Sequence, residues 1–125
     1  MWVFMSGSFV SIVKPDAADV PKAMRGKDLL LVRGRRREDL TVAFPGSRIL
    51  RTPGRDYAFR TFVPRERVAA RMAGEVQAID YGNFKGSVRS AARHDAYMDV
   101  WSAMNRFQNE HCDAPTPSLL SRQRD

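Results

Sequence analysis

The run Leu29-Leu30-Leu31-Val32-Arg33 restricts the fold more than any other part of this chain. It has the length of a strand rather than a helix, and it lacks polar alternation, so it needs apolar cover on both faces. That requirement predicts a central strand in a covered sheet. Two shorter apolar runs precede it, at residues 3–5 and 9–13, separated by Ser6-Gly7-Ser8. A turn-forming triplet between two such runs predicts an opening β-hairpin. The connection from Lys14 to Lys27 holds Pro15, Pro21 and Gly26 and shows no clean period, so it predicts a loop with one helical turn near residues 17–23.

Beyond the central strand, Gly34 lets the backbone turn, and Leu40, Ala43 and Phe44 fall at helical spacing before Pro45-Gly46 stops the helix. Residues 48–51 predict a brief strand and Pro53-Gly54 a turn. Residues 57–63, rich in aromatic and β-branched side chains, predict another strand. Pro64 suits the start of a helix in which Val68, Met72, Val76 and Ile79 recur as an amphipathic stripe. Gly82 and Gly86 break the chain and are expected to adopt positive φ in a turn. A last helix starting at Ser90 or Ala91 carries Tyr97, Val100, Trp101, Met104 and Phe107 on one face, read as core.

The element order is therefore β-β-β-α-β-β-α-α. With few helices and several hairpins, it predicts an α+β fold: an antiparallel sheet with helices on one face. The stretch from Asp28 to Ile79 reads β-α-β-β-α, most of a split βαβ, or ferredoxin-like, unit. The 125 residues allow one domain, placed at 1–111, with a flexible C-terminal tail at 112–125.

Charge is the sharpest functional signal. Residues 25–71 hold thirteen Lys or Arg against five acids, so this segment carries the whole excess of a chain whose net charge is +7. Seventeen of the basic residues are Arg and four are Lys, and the guanidinium fork suits phosphate and carboxylate oxygens. A solvated basic surface and a binding patch for nucleic acid or an acidic protein are the two readings. The candidate contacts are Arg35, Arg36, Arg37, Arg48, Arg51 and Arg55. Tyr81, Phe84 and Lys85, on a Gly-flanked segment, are candidate supplementary contacts able to stack on a base or a partner side chain. No RNP-like aromatic motif lies on the strands, which argues against an RNA-recognition domain.

Other chemistry finds less support. His94 with Asp95 or Asp99 is a candidate acid–base group for a small hydrolase, but the same residues suit a helix start, where the macrodipole favours a carboxylate. His111 lies seventeen residues on, with no ligand spacing, and Cys112 is the only cysteine. No metal site, cofactor or intramolecular disulfide is therefore expected. The apolar start at Met1 lacks a basic leader and is interrupted at Ser6, so no signal peptide is read. No run approaches the roughly 18 apolar residues of a membrane span, and a cytoplasmic setting without membrane contact is expected. Trp2, Phe4 and Phe9 on the first hairpin make a homodimer through an edge strand conceivable.

The set Asp28-Leu-Leu-Leu-Val-Arg33, Phe44-Pro45, Asp56-Tyr57-Ala-Phe59-Arg60, Val63-Pro64-Arg65 and the stretch from Ile79 to Trp101 resembles an uncharacterised family of small bacterial and mobile-element proteins. The resemblance covers roughly residues 1–107 and carries across no reaction, cofactor or catalytic residue. Chains of this size also occur on phages and mobile elements, where inhibitors of host defence are common. Three functions follow as expectations. The first is a non-enzymatic protein docking on nucleic acid or a nucleoprotein complex. The second is a phage- or element-borne, anti-CRISPR-like inhibitor that occludes a host protein. The third is a small hydrolase built on His94.

Overall fold

A computed structural model describes residues 1–112, so the expected tail lies almost wholly outside the described residues. The chain forms two compact units, Met1–Asp80 and a second that begins at Tyr81.

In the first unit the strands are β1 (Trp2–Phe4), β2 (Phe9–Val13), β3 (Leu29–Gly34), β4 (Leu50–Arg51) and β5 (Phe59–Pro64), with helices α1 (Arg37–Ala43) and α2 (Arg65–Gln77). The five strands pair antiparallel in one sheet, ordered β1-β2-β3-β5-β4. Strand β3 is central, as its composition demands. Leu29 and Leu31 pack with Phe62, Val20 and Met24 on one side, while Leu30 and Val32 pack with Leu40, Ala43, Phe44 and Val68 on the other. Both β3 and β4 run antiparallel to β5 between them, so β3-α1-β4 is a split βαβ unit. The α+β class and the antiparallel sheet are as expected.

Both helices of this unit pack on the Leu30–Val32 side. Helix α1 is anchored at its start by its own buried carboxylate and at its finish by arginines of α2. Buried Asp39, in its first turn, accepts a hydrogen bond from the Phe9 N–H at 3.2 Å and so ties the helix to β2. A carboxylate there also suits the positive end of the helix dipole. At the other end, Arg71 Nε donates to the Ala43 carbonyl at 2.8 Å, and Arg67 donates to the Pro45 carbonyl at 2.8 Å. Carbonyls that the last turn leaves unpaired are thereby satisfied from α2.

The turn glycines act where the sequence places them: Gly46 has φ +81° and Gly54 φ +78°. Gly34 matters for a different reason. A Cβ there would lie 3.3 Å from the Arg36 carbonyl oxygen, from Asp39 Cβ and from Leu40 Cδ2. Gly34→Ala is expected to destabilise the unit by about 1–3 kcal/mol, the usual range for overpacking, read as a lower urea midpoint with unchanged slope.

On the side of the sheet opposite the helices, the connection after β2 forms two 3₁₀ turns, Ala17–Asp19 and Lys22–Met24. Val20 and Met24 from this connection cover Leu29, Leu31 and Phe62. No α-helix of the unit packs on this side.

The second unit holds α3 (Phe84–Ser87) and α4 (Ala91–His111). The short α3 is an addition to the expected order. Gly82 and Gly86 do not take positive φ, contrary to expectation. The Asn83 carboxamide instead accepts from the Gly86 N–H at 3.3 Å and caps this single turn. Ser90 caps α4 by accepting from the Arg93 N–H at 3.3 Å, at the start the sequence indicates.

The apolar faces of the long helices need correction. On α4 only Tyr97 is buried, while Val100, Met104 and Phe107 are exposed. On α2, Val68 is buried and Met72 half-buried, but Val76 is exposed, and Ile79 lies exposed beyond the helix end. Helical spacing shows that apolar residues share a stripe; it does not show how far along that stripe anything packs.

Candidate functional site

The three arginines of the triplet have separate partners. The chain leaves β3 at Gly34, and the three side chains fan out. Arg35 donates to the Asp56 carbonyl at 3.1 Å, pairs with its carboxylate at 3.5 Å, and lies over the Tyr57 ring at 4.5 Å. Arg36 turns to Glu38 at 2.6 Å. Arg37 lies 5.8 Å from the centroid of Phe59, whose ring packs against the core on the helix side. Arg51 stands opposite Phe59 in the β4–β5 register, so it shares that side. Arg48 is exposed, and its carbonyl accepts from the Thr61 hydroxyl at 2.7 Å. Of the six arginines named from sequence, Arg35 joins the side of the sheet opposite α1 and α2 through the Tyr57 ring it shares with Arg33, and Arg55 is near enough to Arg60 to repel its charge.

That side carries its own constellation. Antiparallel pairing sets Trp2 opposite Ser11, Ser11 opposite Arg33, Arg33 opposite Arg60, and Arg60 opposite Leu50. Directly opposed residues point to the same face, so these five form one row across all five strands. Phe4 opposite Phe9 makes the neighbouring pair on the same face. Their rings stack at 4.5 Å, and Trp2 meets Phe9 edge-on at 6.4 Å.

The basic half of the row is tightly built. Tyr57, buried, has both Arg33 and Arg35 over its ring, at 4.7 and 4.5 Å. Arg33 donates to the Ser11 hydroxyl at 2.9 Å, yet its buried Nε has no acceptor among the described residues. Arg60, only 8% exposed, donates through Nε to the Thr52 hydroxyl at 3.3 Å, and Thr52 donates to the Tyr57 carbonyl at 3.0 Å. Burial pushes the Arg60 pKa down, and the neighbouring cations Arg55 and Arg33 push it further down, against a smaller opposing pull from Asp19. Among the described residues no carboxylate lies within ion-pairing distance of Arg33, Arg55 or Arg60. Neighbouring cations that make no direct ion pair favour an incoming anion.

The remaining candidates sit elsewhere. In the second unit, Tyr81 contacts Phe84 at 5.9 Å, Phe84 stacks on Tyr97 at 5.8 Å, and Lys85 lies 4.6 Å over Trp101. All three are thus engaged within their own unit. His94 Nδ1 lies 3.7 Å from Asp95, whose carboxylate is largely exposed, and no group of three metal-ligating side chains gathers among the described residues. A cleft of about 810 Å³ beside the 3₁₀ turns is lined by Lys14, Arg25, Lys27 and Arg65 among others, but Arg65 already holds both oxygens of Asp28.

Sequence reasoning missed Arg33 and Arg60 as a pair, and missed Trp2, Phe4 and Phe9 as their companions. A partial signal was present: Arg33 continues the alternate positions of Leu29 and Leu31, and Arg60 precedes Phe62 by two. Each is therefore the polar end of an otherwise apolar face. Among the described residues no helix is long and apolar enough to cross a membrane. Compared with protein-family models, with characterised proteins and with solved structures, the chain matches none.

Proposed function

We propose that the protein is a non-enzymatic nucleic-acid-binding module that takes a phosphate backbone on the sheet face opposite α1 and α2. The observation that carries this reading is the group of Arg33, Arg55 and Arg60, none of which forms an ion pair among the described residues, flanked by Arg35 on the Tyr57 ring. Folding does not call for such crowding, because a buried guanidinium among like charges destabilises the native state. A phosphate supplies the missing counter-charge and accepts from the terminal nitrogens of Arg60, which have no acceptor among the described residues.

The test is fluorescence anisotropy with a labelled oligonucleotide at two salt concentrations, about 50 and 200 mM. Engagement of about four phosphates predicts a log–log salt slope near −3 on a single strand. Arg33→Gln is expected to weaken binding and flatten the slope by about 0.7. Absence of binding at the lower salt, together with stable co-purification with a protein, would replace this reading with the occluding-inhibitor one.

A further inference from the structure

The row across the sheet has two chemically distinct ends. Trp2 and the Phe4–Phe9 stack lie on β1 and β2; Arg33 and Arg60 lie on β3 and β5. Neighbouring strands are about 4.8 Å apart, so Arg33 stands about 10 Å from Trp2 along the row and Arg60 about 14 Å. Between them is Ser11, fully buried and small, whose hydroxyl holds the Arg33 guanidinium toward the aromatic side. The aromatic end is accessible: Trp2 is 67% exposed, with Phe9 bracing it edge-on.

We infer, resting on the nucleic-acid reading above, that the ligand is single-stranded, with bases stacked at Trp2 and Phe9 and the backbone held on the Arg33 and Arg60 side of the row. Unpaired bases offer the flat faces that aromatic side chains take up, whereas a duplex keeps those faces stacked inside. Reading a duplex calls for a helix or two-stranded ribbon inserted in a groove. In this unit α1 and α2 lie on the other side of the sheet from the arginine row. A pleated face with aromatics beside cations matches a strand whose bases point one way and whose phosphates point the other. Stacking is tolerant of base identity, so affinity varies little among mixed sequences.

The experiment compares labelled single strands, in DNA and RNA arms, with duplexes of the same sequence at fixed low salt. Tryptophan emission is read in parallel in a Trp101→Phe background that leaves Trp2 as the sole indole. Either single strand is expected to bind at least tenfold tighter than its duplex and to quench Trp2. Trp2→Ala is expected to weaken single-strand binding by roughly 5- to 100-fold with the salt slope unchanged, while Trp2→Phe restores most of the loss. Duplex binding as tight as single-strand binding, with Trp2→Ala silent and Arg33→Gln weakening both, overturns the single-strand inference and leaves the nucleic-acid reading standing. Failure of every oligonucleotide to bind overturns both.

Discussion

Phe44→Ala is expected to remove about 3–5 kcal/mol from the first unit, the range for emptying a fully buried aromatic site. Phe44 is 1% exposed and packs in the same cluster as Leu40, Val32, Val63 and Val68. It stands at the C-terminal cap of α1, where its N–H donates to the Leu40 carbonyl at 2.8 Å. Truncation therefore empties the space between α1, α2 and the sheet, and carbonyls anchored by Arg67 and Arg71 restrict the collapse that would refill it. Against a typical stability of about 5–15 kcal/mol, the loss lowers the melting temperature by more than about 12 °C, measured by circular dichroism. Phe107→Ala is the matched control. Its exposed ring on α4 predicts a change within about 0.5 kcal/mol.

Arg60→Met should separate stability from binding. A guanidinium does not surrender its proton in a protein, so the burial and the repulsion from Arg55 and Arg33 persist as a destabilising charge at any ordinary pH. Methionine keeps the aliphatic bulk, removes the charge and gives up only the bond to Thr52, whose hydroxyl still has the Tyr57 carbonyl to donate to. The urea midpoint is expected to hold or rise. Oligonucleotide affinity is expected to fall by roughly tenfold to a hundredfold, the loss of one charge-assisted bond of about 1.5–3 kcal/mol. A variant that loses stability and binds normally would make Arg60 a structural strut for the β4–β5 turn.

Local features of the fold were legible because local chemistry decides them. The apolar run at Leu29–Val32 had no other stable place than a doubly covered strand, and Pro-Gly at 45–46 and 53–54 could hardly be anything but turns. Ser90 announced its helix through a capping hydroxyl. The site was less legible, because its members meet by pairing between distant segments. Arg33 faces Arg60 across β3 and β5, and Ser11 faces Arg33 across β2 and β3. Nothing in the spacing of residues 11, 33 and 60 states that register. The triplet at 35–37 left its arrangement open for a related reason. Adjacency in sequence does not fix adjacency in space, since at a strand end successive side chains point in different directions. Val100, Met104 and Phe107 misled because a stripe is a property of one helix, whereas burial requires two partners.

The inserted position of β5 also spreads the contacts of the sheet over very different loop lengths. Strand β4 pairs with β5 across the short turn between them, whereas β5 reaches β3 only across α1, β4 and that turn. The hairpin of β1 and β2 closes over a few residues, and loop-closure entropy favours such short loops over the long closure between β3 and β5. The aromatic half of the face thus belongs to the quickest contacts the chain can make, and the arginine half to the slowest. A ribosome-bound or partly opened chain would present tryptophan and phenylalanine without the cations that complete the surface.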